Sequence, residues 1–284
     1  MQPDPRLNVF RPDLADARLR RMVSAARYAK GRAARVVVGR APVRRQPGPR
    51  AEILTFCHYG EEVLVFDEAD GFAWCQSLFD RYVGYVEAGH VALGEAPAAT
   101  HFVETMGSYA YEAPDLRAPV SDFLPRHSPV TIVETGIVTR GTVYARLDTG
   151  GSIPLACLSQ QPPRSSDLAA AAELYLGCPY LWGGRSFLGI DCSGLVQAAF
   201  RDLGRSVLRD TDMQAETIGE RVEVGDQAEL RRGDLIYLPG HVMIYAGDGV
   251  VVHADGATMT VRRDTLAAMV RERGLDVAGF VRRP

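Results

Sequence analysis

The sequence lacks the features that mark membrane proteins, disulfide-stabilised proteins and zinc proteins. No run of about 18 apolar residues is present, so no membrane-spanning helix is predicted. The cysteines are odd in number and show no CxxC or CxxH spacing, which argues against a disulfide framework and against a zinc site. The five are Cys57, Cys75, Cys157, Cys178 and Cys192. We therefore expect no metal, no other cofactor and no membrane partner.

The sequence also lacks a recognisable signal peptide, and it contains a single lysine. The first residues contain no apolar stretch followed by small residues where a signal peptidase would cut. We therefore expect a cytoplasmic protein, unless a leader has been removed. Lys30 is the sole lysine among 32 lysines and arginines, which indicates the codon bias of a GC-rich genome rather than a phosphate-binding device.

Positive charge is concentrated at the N-terminus. Residues 1–50 hold 13 Arg and Lys but 3 Asp and Glu, a net charge of +10, so a total of -3 leaves -13 for the rest. Such an arm suits either a nucleic acid or another anionic surface, or a helix that packs on the acidic remainder. We favour the helix, and we expect no nucleic-acid partner.

Hydrophobic periodicity divides the 284 residues into four segments. Residues 1–35 predict an extended start and one amphipathic helix, from the spacing of Leu14, Leu19, Met22, Val23 and Ala26. Residues 36–95 and 100–160 contain short β-rich runs separated by Gly, Pro and Asp, which predict two small barrels. Residues 165–284 predict helices before strands, and therefore an α+β domain.

The most informative short motif in that last segment is Asp191-Cys192-Ser193-Gly194, where a predicted helix begins. A catalytic cysteine reacts as its thiolate, and the positive end of a helix dipole favours that form. The N–H groups of the first turn can also hold an oxyanion. A buried structural cysteine beside an Asp N-cap explains the tetrapeptide alone equally well.

Two histidines can complete such a site. His241 opens the predicted strand HVMIYAG, and His253 closes the next strand, GVVVHA. On an antiparallel hairpin the two rings can be neighbours, so that His253 fixes the tautomer of a general base at His241. Two histidines buried for packing remain the alternative, but their place after a cysteine at a helix start favours catalysis.

Three blocks of sequence resemble the NlpC-type papain-like cell-wall peptidases. They are PYLWGGRSFLGIDCSGLVQAAF, RRGDLIYLPGHVMIYAGDG and VVHA, in that order, within residues 165–284. The resemblance implies a papain-like peptidase domain with Cys192 as nucleophile, His241 as base and His253 as orienting residue. It also implies a tyrosine, Tyr180, whose hydroxyl lies near the sulfur, and we assign Trp182 in the same block to substrate binding.

The architecture resembles the branch in which SH3-like domains precede the peptidase and shape its substrate cleft. That branch cuts between γ-D-glutamate and a diamino acid in peptidoglycan stem peptides with a free N-terminal L-Ala. By this resemblance Asp191 and Ser193 hold the free amine, and the first SH3-like domain adds Glu61 and Tyr82. Thr211, in RDTDMQA, stands where the branch usually has a substrate-contacting serine.

The expected function is therefore a γ-D-glutamyl-diamino acid endopeptidase that recycles small muropeptides. An amidase or acyltransferase of the same fold, and a non-catalytic wall-binding protein, are the alternatives. Cys192, His241 and His253 weigh against the last of these, while Asp191 and Glu61 weigh against the amidase. The sequence does not specify the diamino acid or the oligomeric state.

Overall fold

The computed structural model describes residues 3–95, 97–222, 229–272 and 280–284. The chain divides into two compact units, Met1–Pro163 and Arg164–Pro284. Among the described helices, none has the length and apolarity needed to cross a bilayer.

The first unit consists of strands and single 3-10 turns. Its strands are β1 Leu14–Asp16, β2 Arg27–Ala29, β3 Arg32–Val36, β4 Arg40–Arg44, β5 Ile53–His58, β6 Glu62–Ala69, β7 Phe72–Ser77, β8 Val83–Glu87, β9 Val91–Leu93, β10 His101–Val103, β11 Gly107–Tyr111, β12 Val120–Pro125, β13 Pro129–Val130, β14 Ile132–Thr139, β15 Thr142–Leu147, β16 Ser152–Pro154 and β17 Leu158–Ser159. The 3-10 turns are Ala17–Leu19, Ala88–His90 and Leu155–Cys157.

These strands form three main sheets. A seven-stranded sheet has the order β5-β4-β8-β7-β6-β3-β9, a three-stranded sheet the order β13-β10-β17, and a five-stranded sheet the order β12-β11-β16-β15-β14. Each larger sheet covers an apolar cluster, one around Val36, Val63 and Val65, the other around Leu124 and Ile153. The two segments predicted as barrels thus have separate sheets and cores but lie in one compact unit.

Two-residue turns connect several of the hairpins. Asp70-Gly71 and Arg140-Gly141 in the first unit, and Asp248-Gly249 in the second, have positive φ at both residues. That geometry matches the twist of the flanking strands, and glycine adopts it without steric cost. The turn chemistry therefore fixes the register of each hairpin locally.

The predicted N-terminal helix is wrong. Residues 14–29 form the short strands β1 and β2, which pair in parallel, with one 3-10 turn between them. Leu14 packs with Phe66 and Trp74 against the seven-stranded sheet, whereas Met22 remains 62% exposed. The helical spacing of apolar residues in this segment does not form a continuous apolar face. Packing of a few of these side chains on the sheet therefore determines the conformation instead of helix propensity.

Several arginines of the basic arm form ion pairs within the first unit. Arg11, Arg32 and Arg35 form ion pairs with Asp67, Glu68 and Asp148, at 2.6, 2.5 and 2.9 Å. These three arginines therefore meet acidic groups of the following sheets, without the helix that the sequence predicted.

The second unit has helices followed by a sheet. Its helices are α1 Leu168–Glu173, α2 Cys192–Asp202, α3 Thr211–Thr217 and α4 Leu266–Glu272. Its strands are β18 Arg185–Ser186, β19 Gly189–Ile190, β20 Glu220–Val222, β21 Leu235–Leu238, β22 His241–Gly247, β23 Val250–Asp255, β24 Thr260–Thr265 and β25 Phe280–Arg283. Six strands form an antiparallel sheet in the order β20-β25-β21-β22-β23-β24. Part of the predicted last strand, residues 276–279, lies outside the described residues.

Helix α2 is positioned by its cap and by its apolar face. Asp191 is the N-cap, and Leu195, Val196, Ala199 and Phe200 are buried where the helix packs against β22 and β23. At its first turn Gly194 lies directly against the Gly184 carbonyl, where a Cβ atom would overlap that oxygen. The start of α2 is therefore held on both sides, by the sheet and by the preceding loop.

Candidate active site

Cys192 is the first residue of α2 and is 8% exposed. Its Sγ lies 4.0 Å from the Thr211 hydroxyl, and the backbone N–H of Val242 on β22 also interacts with it. Burial, followed by the nearby Asp191 carboxylate, raises the pKa of the Cys192 thiol, while the Val242 N–H, Thr211 and Arg209 act in the opposite direction. The sulfur therefore needs a base before it can act as a nucleophile at neutral pH.

This balance predicts how Cys192 reacts with alkylating agents. Since the pKa of the thiol is raised, the thiolate accumulates only as pH rises through the alkaline range, and we expect the rate of inactivation by iodoacetamide to increase steadily there. Mass spectrometry should show Cys192 modified before Cys75, whose pKa burial raises to about 12. An alkylation rate that stays constant from acid to alkaline pH would contradict this and indicate a permanent thiolate–imidazolium pair.

His241 is the first residue of β22 and directly precedes Val242, whose backbone N–H interacts with the Cys192 thiol. The His241 Nε2 lies 2.9 Å from Nδ1 of His253 on β23, and the two rings meet edge to face with centroids 5.0 Å apart. The predicted contact between the two imidazoles is therefore present. Because Nε2 of His241 serves His253, Nδ1 is the nitrogen that can take the proton of the thiol.

A carboxylate extends the hydrogen-bonded series that begins with His241 and His253. The His253 ring is fully buried, and its Nε2 lies 3.0 Å from Oδ2 of Asp264 on β24. Oδ1 of the same carboxylate accepts a hydrogen bond from Arg262 at 2.6 Å. Asp264 was not among the predicted site residues, because β24 itself was not predicted. The segment TVRRDT has little apolar–polar alternation, so its periodicity gives no signal for this strand.

Asp191 has more partners than an N-cap requires. Its Oδ1 accepts from the Gly194 N–H at 2.7 Å and the Ser193 hydroxyl at 3.3 Å. Its Oδ2 accepts from the Gly183 N–H at 2.8 Å and from Arg209 at 2.5 Å. The Arg209 side chain is 2% exposed and also donates to the Ser193 hydroxyl. Four donors, one of them the buried guanidinium of Arg209, thus already satisfy this carboxylate, and its predicted contact with a substrate amine stays a prediction.

Of the other predicted residues of the second unit, Tyr180 and Thr211 lie near the Cys192 sulfur. Burial, followed by the proximity of Cys192 and Asp191, raises the pKa of Tyr180 to about 12, so its hydroxyl stays protonated and can donate at neutral pH. Thr211 begins α3, directly after Arg209 and Asp210, and reaches Cys192 as described. Trp182 is 65% exposed in the loop before β18, and its role in substrate binding stays a prediction.

Glu61 and Tyr82 belong to the first unit, where both are buried. The Glu61 carboxylate accepts from the His58 N–H at 3.0 Å, within the turn between β5 and β6. The Tyr82 N–H donates to the Asp80 carboxylate at 3.1 Å. Their predicted contacts with substrate stay predictions.

The second unit therefore holds a thiol at a helix N-terminus, a histidine pair and a terminal carboxylate. The N–H groups at the start of α2 provide donors for a developing oxyanion. A thiol and an adjacent imidazole form the arrangement used for acyl transfer through a thioester. Among the described residues, no cluster of three or more His, Cys, Asp or Glu side chains could hold a metal ion.

Two family models match the chain. Residues 177–280 match the NlpC/P60 family, and residues 43–91 match the bacterial dipeptidyl-peptidase SH3 domain. The first match contains the thiol, both histidines and Asp264, and the second contains Glu61 and Tyr82. The family and the preceding SH3-like domain predicted from the sequence are thus confirmed.

Two named bacterial proteins are similar to this chain. The γ-D-glutamyl-L-lysine dipeptidyl-peptidase of Bacillus subtilis is 30% identical over 157 residues, which cover 52% of this chain and 51% of that protein. Dipeptidyl-peptidase 6 of Lysinibacillus sphaericus is 24% identical over 237 residues, which cover 77% of this chain and 86% of that protein. The match thus spans about half of the Bacillus subtilis relative, and 31% of a Bacillus cereus relative with the same name.

A solved structure shows the same fold. The crystal structure of an NlpC/P60 family protein from Bacillus cereus aligns with a TM-score of 0.70 and 19% identity, covering 88% of this chain and 99% of that one. Since the shared fold, the family models and the thiol–histidine arrangement agree, the chain is identified by its domains: it carries an NlpC/P60 family domain over residues 177–280, preceded by a bacterial dipeptidyl-peptidase SH3 domain over residues 43–91.

Proposed function

We propose that this chain is a cysteine endopeptidase that hydrolyses the bond between γ-D-glutamate and a diamino acid in peptidoglycan stem peptides. One observation carries the proposal: Cys192 begins α2 beside the first residues of β22, where His241 is held by His253 at 2.9 Å. That combination supplies a nucleophile, a base and an orienting group in one place.

The reaction follows from this geometry. His241 takes the thiol proton while Cys192 Sγ attacks the γ-carbonyl carbon of glutamate, and the N–H groups at the start of α2 stabilise the oxyanion. Collapse of the tetrahedral intermediate breaks the C–N bond, and the imidazolium gives its proton to the departing amine. Water, deprotonated by His241, then attacks the thioester, releases the carboxylic acid and returns the thiol.

The substrate class is proposed from the relatives and from the resemblance of the three sequence blocks. Two relatives are named γ-D-glutamyl-L-lysine dipeptidyl-peptidase. The resemblance to the branch with SH3-like domains implies peptides with a free N-terminal L-Ala. A requirement for a free amine restricts the enzyme to peptides already released from the sugar chains, which fits recycling of muropeptides. The cytoplasmic location predicted from the sequence stays a prediction.

The free amine requirement has a direct test. We expect L-Ala-γ-D-Glu-diaminopimelate to be cleaved to the dipeptide and the diamino acid, and the N-acetylated peptide to show a kcat/KM lower by roughly 10- to 100-fold. The reason is that acetylation removes the positive charge of the substrate amine, which in this proposal pairs with the carboxylates of Asp191 and Glu61. Each lost charge-assisted hydrogen bond is worth about 1.5–3 kcal/mol. Products are identified and quantified by mass spectrometry.

The outcomes separate the parts of the proposal. Equal kcat/KM on both peptides would remove the free amine requirement and leave the peptidase assignment in place. Release of a product cut at another amide, or transfer of the acyl group to an added amine instead of to water, would favour the amidase or acyltransferase alternative. Absence of turnover with both peptides would overturn the substrate class.

A further inference from the structure

Three adjacent strands each contribute one member of a hydrogen-bonded chain that leads away from the thiol. His241 lies on β22, His253 on β23 and Asp264 on β24, with contacts of 2.9 Å and 3.0 Å. His253 is directly opposite Arg262 in the β23–β24 ladder, so Asp264, two residues further along, projects from the same face of the sheet. The carboxylate thus reaches the far nitrogen of the buried His253 ring.

The chemistry of the last member fixes the direction of the whole chain. An ionised carboxylate only accepts hydrogen bonds, so His253 must carry its proton on Nε2 to donate to Asp264. Nδ1 of His253 is then an acceptor, and His241 must donate to it from Nε2. In the neutral His241 ring, Nδ1 is consequently unprotonated, which is the form that a general base for the thiol requires.

We propose that Asp264 is a positioning residue that sets the tautomers of both His253 and His241, so that the basic nitrogen of His241 faces Cys192. This inference rests on the proposed thiol–imidazole chemistry but not on the identity of the peptide substrate. It extends the Cys–His–His arrangement by a fourth residue, which acts through two rings and does not touch the substrate.

Arg262 determines how a substitution at Asp264 would behave. Its guanidinium donates to Oδ1 at 2.6 Å, while Oδ2 faces His253. In an Asp264→Asn variant the amide oxygen would turn toward Arg262, because two donors cannot face each other, and the NH2 group would face His253. His253 would then be protonated on Nδ1, His241 would become the acceptor at Nε2, and its proton would move to Nδ1, the position that must be basic.

The test uses Asp264→Asn, with Asp248→Asn as a matched control in the exposed β22–β23 turn. For Asp264→Asn we expect kcat to fall by roughly 10- to 100-fold with KM little changed. This loss is smaller than the roughly 10⁴-fold effect of replacing an aspartate bonded directly to the catalytic histidine, since Asp264 is one ring further away. Alkylation of Cys192 by iodoacetamide should slow in parallel, and this readout needs no substrate. Asp248→Asn should match the parent protein in all three measurements.

The decisive variant is the double substitution Arg262→Leu, Asp264→Asn. Without Arg262 the amide can rotate so that its oxygen accepts from His253, which restores the original direction. We expect the double variant to regain at least about fivefold of the kcat lost in Asp264→Asn, a difference of roughly 1 kcal/mol. Nitrogen-15 NMR of the imidazoles should show the protonated nitrogen of His241 move to Nδ1 in Asp264→Asn and return to Nε2 in the double variant.

A merely structural role predicts a different pattern. The double variant would then be no more active than Asp264→Asn, and the imidazole nitrogens would keep their protonation in every variant. Either result would overturn the proposal. If the peptide proved not to be the substrate, the alkylation and NMR measurements would still decide the role of Asp264.

Discussion

Replacement of Cys192 by alanine is expected to lower hydrolysis by at least ~10³-fold while the protein stays folded. The loss follows because no other side chain at the start of α2 can form the thioester: Ser193 donates to the Asp191 carboxylate and receives a hydrogen bond from Arg209. The fold should persist because the substitution removes one sulfur atom from the surface of a helix whose cap and apolar face are unchanged. We expect the free energy of unfolding to change by about 1 kcal/mol.

The measurements are the release of the diamino acid from the peptide and denaturant unfolding followed by circular dichroism. Cys157→Ala is the matched control, since it makes the same substitution in the first unit, and it should retain full activity. Hydrolysis by Cys192→Ala above about a thousandth of the parent rate would show that another group is the nucleophile.

Removal of Arg209 is expected to have the largest effect on stability. Its guanidinium is buried and pairs with the Asp191 carboxylate, which caps the helix that carries the nucleophile. Burial alone would lower the pKa of Arg209, but the neighbouring Asp191 more than offsets this. Arg209→Met would leave a buried negative charge without its partner, which typically costs about 3–5 kcal/mol. The midpoint of urea unfolding should fall accordingly.

A double-mutant cycle tests whether charge is the cause. Asn at position 191 can still cap α2 but carries no charge, so the variant Arg209→Met, Asp191→Asn should be more stable than Arg209→Met alone. If the double variant is less stable than either single variant, Arg209 stabilises the unit by packing rather than by pairing with Asp191.

Local signals predicted the elements that carry the thiol and the two histidines. Asp191 acts as the N-cap of α2, as its position before an apolar periodic segment indicated. The turn at Asp248-Gly249 places β22 beside β23, and the two histidines therefore meet. In each case the information lies within a dozen or so residues of chain.

Interactions between distant residues could not be predicted in this way. Arg209 pairs with Asp191 across 18 positions, and the RDT segment gives no local indication of that partner. Asp264 was missed because a polar strand such as TVRRDT has little hydrophobic alternation. The N-terminal helix was predicted from periodicity, yet the burial of Leu14 on a sheet formed by later residues decided its conformation.

The chain from His241 to Asp264 depends on how three strands are aligned. A displacement of β24 by one residue against β23 would turn Asp264 to the opposite face and bring Val261 or Arg263 opposite His253. Such a molecule would keep most of its sheet and its circular dichroism spectrum. It would lack the carboxylate that accepts the hydrogen bond from His253. Specific activity after refolding therefore reports the fraction of molecules with β24 correctly aligned, whereas circular dichroism reports the fraction that is folded. The ratio of the two would measure the fidelity with which this outermost strand finds its place.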